Sequence, residues 1–394
     1  YTVTGTDANG CVNTATKSIT VNSLPTITAT STPTNGTICV GANATLSGAG
    51  ATSYTWSGGI TNGTAFAPTT TTTYTVTGTD ANGCVNTATK SITVNSLPTI
   101  TATSTPTNGI ICVGANATLS GAGATSYTWS GGITNGTAFA PTTTTTYTVT
   151  GTDANGCVNT ATKSITVNSL PTITATSTPI SGAICVGANA TLNGAGATSY
   201  TWSGGVTNGT PFAPTTTTTY TVTGTDANGC VNTATKSITV NSLPTITATS
   251  TPISGAICVG ANATLNGAGA TSYTWSGGIT NGTAFAPTTT TTYTVTGTDA
   301  NGCVNTATKS ITVNSLPTIT ATSTPTNGTI CVGANATLAG AGASSYTWTG
   351  GITNGTAFAP TTTTTYTVTG TDANGCVNTA TKSITVNALP AVSA

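Results

Sequence analysis

The chain reads as all-β, a tandem array of small β-sandwiches. Three features predict this: a 73-residue period, a strand-forming composition, and period-two alternation inside each copy. Tyr1, Tyr74, Tyr147, Tyr220, Tyr293 and Tyr366 each open the same segment, which sets the period. Thr is abundant and Val, Ile, Tyr and Trp recur in the copies, residues that suit a pleated, half-buried surface. No stretch carries a helical period.

A unit taken from Leu24 divides the chain into domains 24–96, 97–169, 170–242, 243–315 and 316–388. A partial domain holding the last two strands precedes them at 1–23, and the start of another follows at 389–394. Tyr1 matches an interior position of every later copy, so the chain is expected to be a window on a longer polymer. Within 24–96, Ile27, Ala29 and Ser31 alternate with threonines as a first strand. Ala44 and Leu46 mark a second, ended by Gly48-Ala49-Gly50, and Tyr54 and Trp56 share one face of a third. Asn62-Gly63 is a strong turn signal before a short strand at Phe66. Tyr74, Val76 and Gly78 alternate with Thr on the next strand, and Ala88, Ile92 and Val94 define the last. Six or seven short strands in so few residues indicate a sandwich.

The stretch Asp80-Ala81-Asn82-Gly83-Cys84 sets the register of the last two strands. A two-residue Asn-Gly hairpin would put Val76 opposite Thr89 and turn the two apolar sets to opposite faces. A three-residue loop puts Asp80 opposite Cys84, Val76 opposite Ala88 and Thr72 opposite Ile92, restoring one apolar face. Gly83 then takes the left-handed position, and the Asp80 carboxylate caps backbone N–H groups as a structural turn. Asp-x-Asn-Gly also begins calcium loops, but those need further oxygen ligands including a late Glu, and the chain has no Glu. Lys90 falls opposite Tyr74, too far from Asp80 for an isopeptide bond, and is expected to lay its stem along the surface.

The chemical inventory excludes most activities. All six bases are Lys and all six acids are Asp; Glu, Arg, His, Gln and Met are absent. One Asp and one Lys per copy leave little for acid–base catalysis, and no ligand cluster suits a metal. The expectation is a non-enzyme with no catalytic, cofactor-binding or metal-binding residues. Zero net charge without a basic stripe speaks against nucleic acid. No run approaches the ~20 apolar residues of a membrane-spanning helix.

Eleven cysteines form two series, Cys39, Cys112, Cys185, Cys258 and Cys331 against Cys84, Cys157, Cys230, Cys303 and Cys376, with Cys11 left over. Two per copy without other metal ligands indicate disulfides made in an oxidising compartment. The expected pairing lies inside each copy, Cys39 with Cys84 and its equivalents. The rival joins Cys11 to Cys39 across a boundary. Cys11 would pair with a residue upstream of the chain.

The run Ile38-Cys39-Val40-Gly41, then Ala44-Thr45-Leu46, Tyr54-Thr55-Trp56, a Pro-Thr-Thr-Thr run into Tyr74-Thr75-Val76, and Asp80-Ala81-Asn82-Gly83-Cys84 resembles the Ig-like repeats of Bacteroidota surface proteins. Such repeats occur in giant type IX-secreted adhesins, including the SprB-type gliding adhesins, and every copy here shares the pattern. The resemblance implies Ig-like sandwiches in which Leu46 and Val76 take the places of the two inter-sheet cysteines. Trp56 would be the core tryptophan and Tyr74 the strand-F tyrosine. Trp56 is therefore expected in the core rather than as an exposed sugar platform.

The resemblance and the short Pro-containing linkers together imply a structural stalk or filament of a cell-surface adhesin. Each domain would add roughly 35 to 40 Å, and the stalk would extend a binding or gliding element from the cell. Alternatives are a multivalent array binding glycans or another surface, and lateral self-association into an extracellular fibre or sheath. Thr69 to Thr73 reads as wettable strand former rather than as a glycosylated or water-ordering run. The Asn-x-Thr sequons carry little weight in the bacterial source that the resemblance implies.

Overall fold

The computed structural model describes residues 1–392; Ser393 and Ala394, the end of the expected segment 389–394, lie outside the described residues. The chain forms two compact units. The first comprises Tyr1–Thr172, Gly196–Ser199 and Gly224–Asn232; the second comprises Ile173–Ala195, Tyr200–Thr223 and the chain from Thr233 onward.

The first unit opens with an exposed hairpin of β1 (Thr2–Thr6) and β2 (Val12–Thr16). The first full repeat follows as β3 (Thr28–Thr32), β4 (Thr37–Cys39), β5 (Ala44–Ala49), β6 (Ser53–Trp56), β7 (Ala65–Phe66), β8 (Thr72–Thr79) and β9 (Val85–Asn95). Two sheets result, one ordered β3-β5-β7 and the other β4-β9-β8-β6. All pairs are antiparallel except β4 with β9. This is an Ig-like sandwich whose first strand is split between the two sheets. The same elements recur in 97–169 within the first unit, and in 243–315 and 316–388 within the second.

The split arises in Thr34-Asn35-Gly36. Gly36 takes φ +70° and donates its N–H to Pro33 O at 2.9 Å, which carries the chain from one sheet to the other. β4 has only three residues, too few to show alternation, and sequence periodicity misses it. It runs parallel to the end of β9, with Ile38 opposite Val94 and Cys39 opposite Asn95.

The core is Ile38, Ala44, Leu46, Trp56, Val76 and Ile92, with Ile27, Ala29, Tyr54, Phe66, Tyr74, Ala88 and Val94 packed against it. Leu46 on one sheet and Val76 on the other are fully buried. Each such side chain stabilises the fold by about 1.5–3 kcal/mol. Tyr74 is half-buried, its ring edge-on to Phe66 at 5.3 Å. Gly78 lets the strand carry a bare position on its core face: a Cβ there would lie 2.4 Å from Ile27 Cδ1.

The β8–β9 register is that of the three-residue loop, with Val76 opposite Ala88, Thr72 opposite Ile92 and Tyr74 opposite Lys90. Asn62-Gly63 forms the expected turn, with Gly63 at φ +75°. Thr64 N–H donates to Thr61 O, so a turn forms, but its flanks are not a hairpin: β6 pairs with β8 and β7 with β5. Asn62 instead ties the sheets together, its Oδ1 accepting from Trp56 Nε1 at 2.9 Å and Gly48 N–H at 2.7 Å. Tyr54 bonds back to the backbone: its hydroxyl accepts from Ala51 N–H and donates to Ala51 O, both at 2.7 Å.

Candidate functional site: the junction between repeats

The acid and the two cysteines of each copy lie at its two ends. At one end lies the turn after β8. Asp80 N–H donates to Cys84 O, and Asp80 Oδ1 accepts the N–H groups of Asn82 at 2.9 Å and Cys84 at 2.8 Å. Gly83 has φ +86° and donates to Asp80 O. That carboxylate oxygen is occupied by the chain's own backbone, so the turn closes without an outside ligand. Among the described residues no three His, Cys, Asp or Glu side chains come together. Lys90 lies in β9, away from this turn, and its Nζ donates to Thr34 O at 3.2 Å.

At the other end, β9 finishes at Asn95 with Cys39 beside it, and Val40 N–H donates to Asn95 O at 2.9 Å. Cys39 and Cys84 therefore stand at opposite ends of β9. Its eleven residues span about 36 Å at ~3.3 Å each. A disulfide tolerates a Cα separation of only about 4.4–6.8 Å. The expected bond of Cys39 to Cys84 is thus excluded by strand length, and the same holds for its equivalents.

The observed bonds join neighbouring copies instead: Cys39 to Cys157, Cys112 to Cys230, Cys185 to Cys303 and Cys258 to Cys376. Their Cα separations are 5.5–5.6 Å and each spans 118 residues. Cys11, Cys84 and Cys331 are free thiols, which corrects the expectation that Cys84 and Cys331 are bonded. The rival bond of Cys11 to Cys39 is absent as well.

The first junction shows how the bond is built. β9 ends at Asn95, and the chain passes through Pro98 to the strand Thr101–Thr105. Asn159 Nδ2 donates to Pro98 O at 2.9 Å, holding the incoming chain against the hairpin that contains residues 153–157. Asp153 Oδ1 fixes that turn through Asn155 and Cys157 N–H. Cys157 is thereby brought beside Cys39 at the exit of the preceding repeat. The four bonded turn cysteines, Cys157, Cys230, Cys303 and Cys376, are fully buried, whereas unbonded Cys84 is half-exposed. Leu97 is 39% exposed where Leu24, after the bare hairpin, is 62% exposed. In the chain-entropy model, closing a loop of this size contributes about 5 kcal/mol.

Sequence reasoning placed all ten paired-series cysteines in oxidised pairs but chose the wrong partners, and it missed the Asn159 bridge. Cysteine spacing carried no signal of this: the parallel seat of β4 beside the end of β9 places Cys39 next to the following copy.

No protein-family model matches the chain, and no curated protein matches it. Similar solved structures include the N-terminal eight Ig domains of Down Syndrome Cell Adhesion Molecule, at 14% identity and a TM-score of 0.28. That match covers 98% of this chain, which spans 63% of the length of that one. A Ca2+-stabilized adhesin that helps an Antarctic bacterium reach out and bind ice is 17% identical, with a TM-score of 0.26 over 93% of this chain and 100% of that one. The I-band fragment I67-I69 of titin is 13% identical, with a TM-score of 0.25 over 55% and 98%.

Proposed function

We propose that the chain is a force-carrying structural segment of a large extracellular surface protein, in which each repeat, bounded as 24–96 and its successors, is one folding unit. The observation that carries this is the covalent bond across each junction from Cys39 to Cys376, at the place where a tandem array is otherwise held by a short linker alone. Disulfides persist in oxidising surroundings, which supports an extracellular location. Trp56 and its equivalents are buried, which leaves no tryptophan platform for a sugar and weighs against a glycan-binding array. The resemblance to SprB-type repeats supports the finer assignment, a cell-surface adhesin stalk serving attachment or gliding. Antibody-labelled negative-stain images of the source cells test it. Labelled filaments projecting from the surface are expected; label confined inside the cells would refute it.

A further inference from the structure

We infer that the four junction disulfides form a second, interleaved covalent backbone, which keeps the array one molecule after its peptide backbone is cut. This rests on the structural reading above and deepens it. The loops closed are 39–157, 112–230, 185–303 and 258–376, and each begins before the previous one ends. Every peptide bond between Cys39 and Cys376 therefore lies inside at least one closed loop. Those in 112–157, 185–230 and 258–303 lie inside two. Hydrolysis of any one bond adds water across a C–N bond and leaves both new ends attached through a disulfide that takes no part in the reaction.

Bonds inside each copy would behave differently. They would close 39–84 and 112–157 and leave the stretch between uncovered, including exposed Ser96 and part-exposed Leu97. Exposed connecting segments are where proteases cut first. The interleaved pairing protects the integrity of the array at the segments that the fold cannot shield, a property suited to a protein exposed to secreted proteases of any specificity.

The lysine spacing gives a decisive test. Lys17, Lys90, Lys163, Lys236, Lys309 and Lys382 are the only trypsin sites, because the chain has no Arg. Complete digestion cuts the chain once per repeat. The full chain is denatured in guanidine with its free thiols alkylated, then exchanged into digestion buffer and digested to completion without reductant. The expected product is a single species containing all of 18–382, which falls to 73-residue pieces on reduction. A double variant, Cys112→Ser with Cys230→Ser, should give two species instead, 18–163 and 164–382. Recovery of 73-residue pieces without reductant, or a single species from the double variant, would overturn the interleaved pairing. Either result would leave the surface location, which rests on imaging, to stand or fall separately.

Discussion

Pulling one molecule by its ends should give an extension of only about 50 Å per repeat while the disulfides are intact. The figure follows from the shortest covalent path. Tension entering at Cys39 crosses to Cys157, runs along residues 158–185, then crosses from Cys185 to Cys303. That path advances two repeats through 28 residues, about 95 Å fully extended at ~3.4 Å each. One disulfide adds its 5.6 Å Cα separation. Much of this length is already drawn out, because Val158–Asn168, Thr174–Thr178 and Ala183–Cys185 are strands. Only short connections on the path can yield, so the oxidised array should stiffen early, without a sawtooth of large steps. Reduction frees all 73 residues of each repeat, about 250 Å at ~3.4 Å each. Optical-tweezer traces before and after reductant provide the measurement. Bonds inside each copy would instead free about 28 residues per repeat, roughly 95 Å. An oxidised extension at that value, or one unchanged by reductant, would refute the junction pairing and the mechanical role built on it.

Other perturbations probe single repeats, each read as an early urea transition in the full array. Asp153→Ala removes the acceptor for Asn155 and Cys157 N–H and should cost about 1–2 kcal/mol, while Asp153→Asn should cost about 1 kcal/mol or less. Melting of the parent chain should be the same in calcium and in chelator; a chelator-induced drop of many degrees would make the Asp80-type turn a metal ligand. Asn62→Ala strands the buried Trp56 N–H and should cost about 1–3 kcal/mol. A cycle with Trp56→Phe should show strong coupling, and simple additivity would mean that the bond is idle. Gly78→Ala forces a methyl against Ile27 and should cost about 1–3 kcal/mol, partly restored by Ile27→Val. No rescue would locate the strain elsewhere.

What the sequence determined by itself was local. Period-two alternation reported the faces of β5, β8 and β9, because side chains point in and out by turns whatever the strand pairs with. The same logic reached the β8–β9 register, since only a three-residue loop puts Val76 and Ala88 on one side. Leu46 and Trp56 were expected in the core from the resemblance to Ig-like repeats, and both are buried. Partners distant in the chain were not legible. Asn62 carries the mark of a turn, and its role as acceptor for Trp56 and Gly48 appears only when two sheets face each other. β4 is too short to show a period, and its parallel seat beside the end of β9 was decided by packing. That seat sends Cys39 to the far end of its repeat. Cysteine spacing counts residues along the chain, whereas a disulfide requires proximity in space, and β9 holds the two cysteines of each copy about 36 Å apart at ~3.3 Å per residue. Tertiary structure alone therefore decided that the bonds run between neighbours.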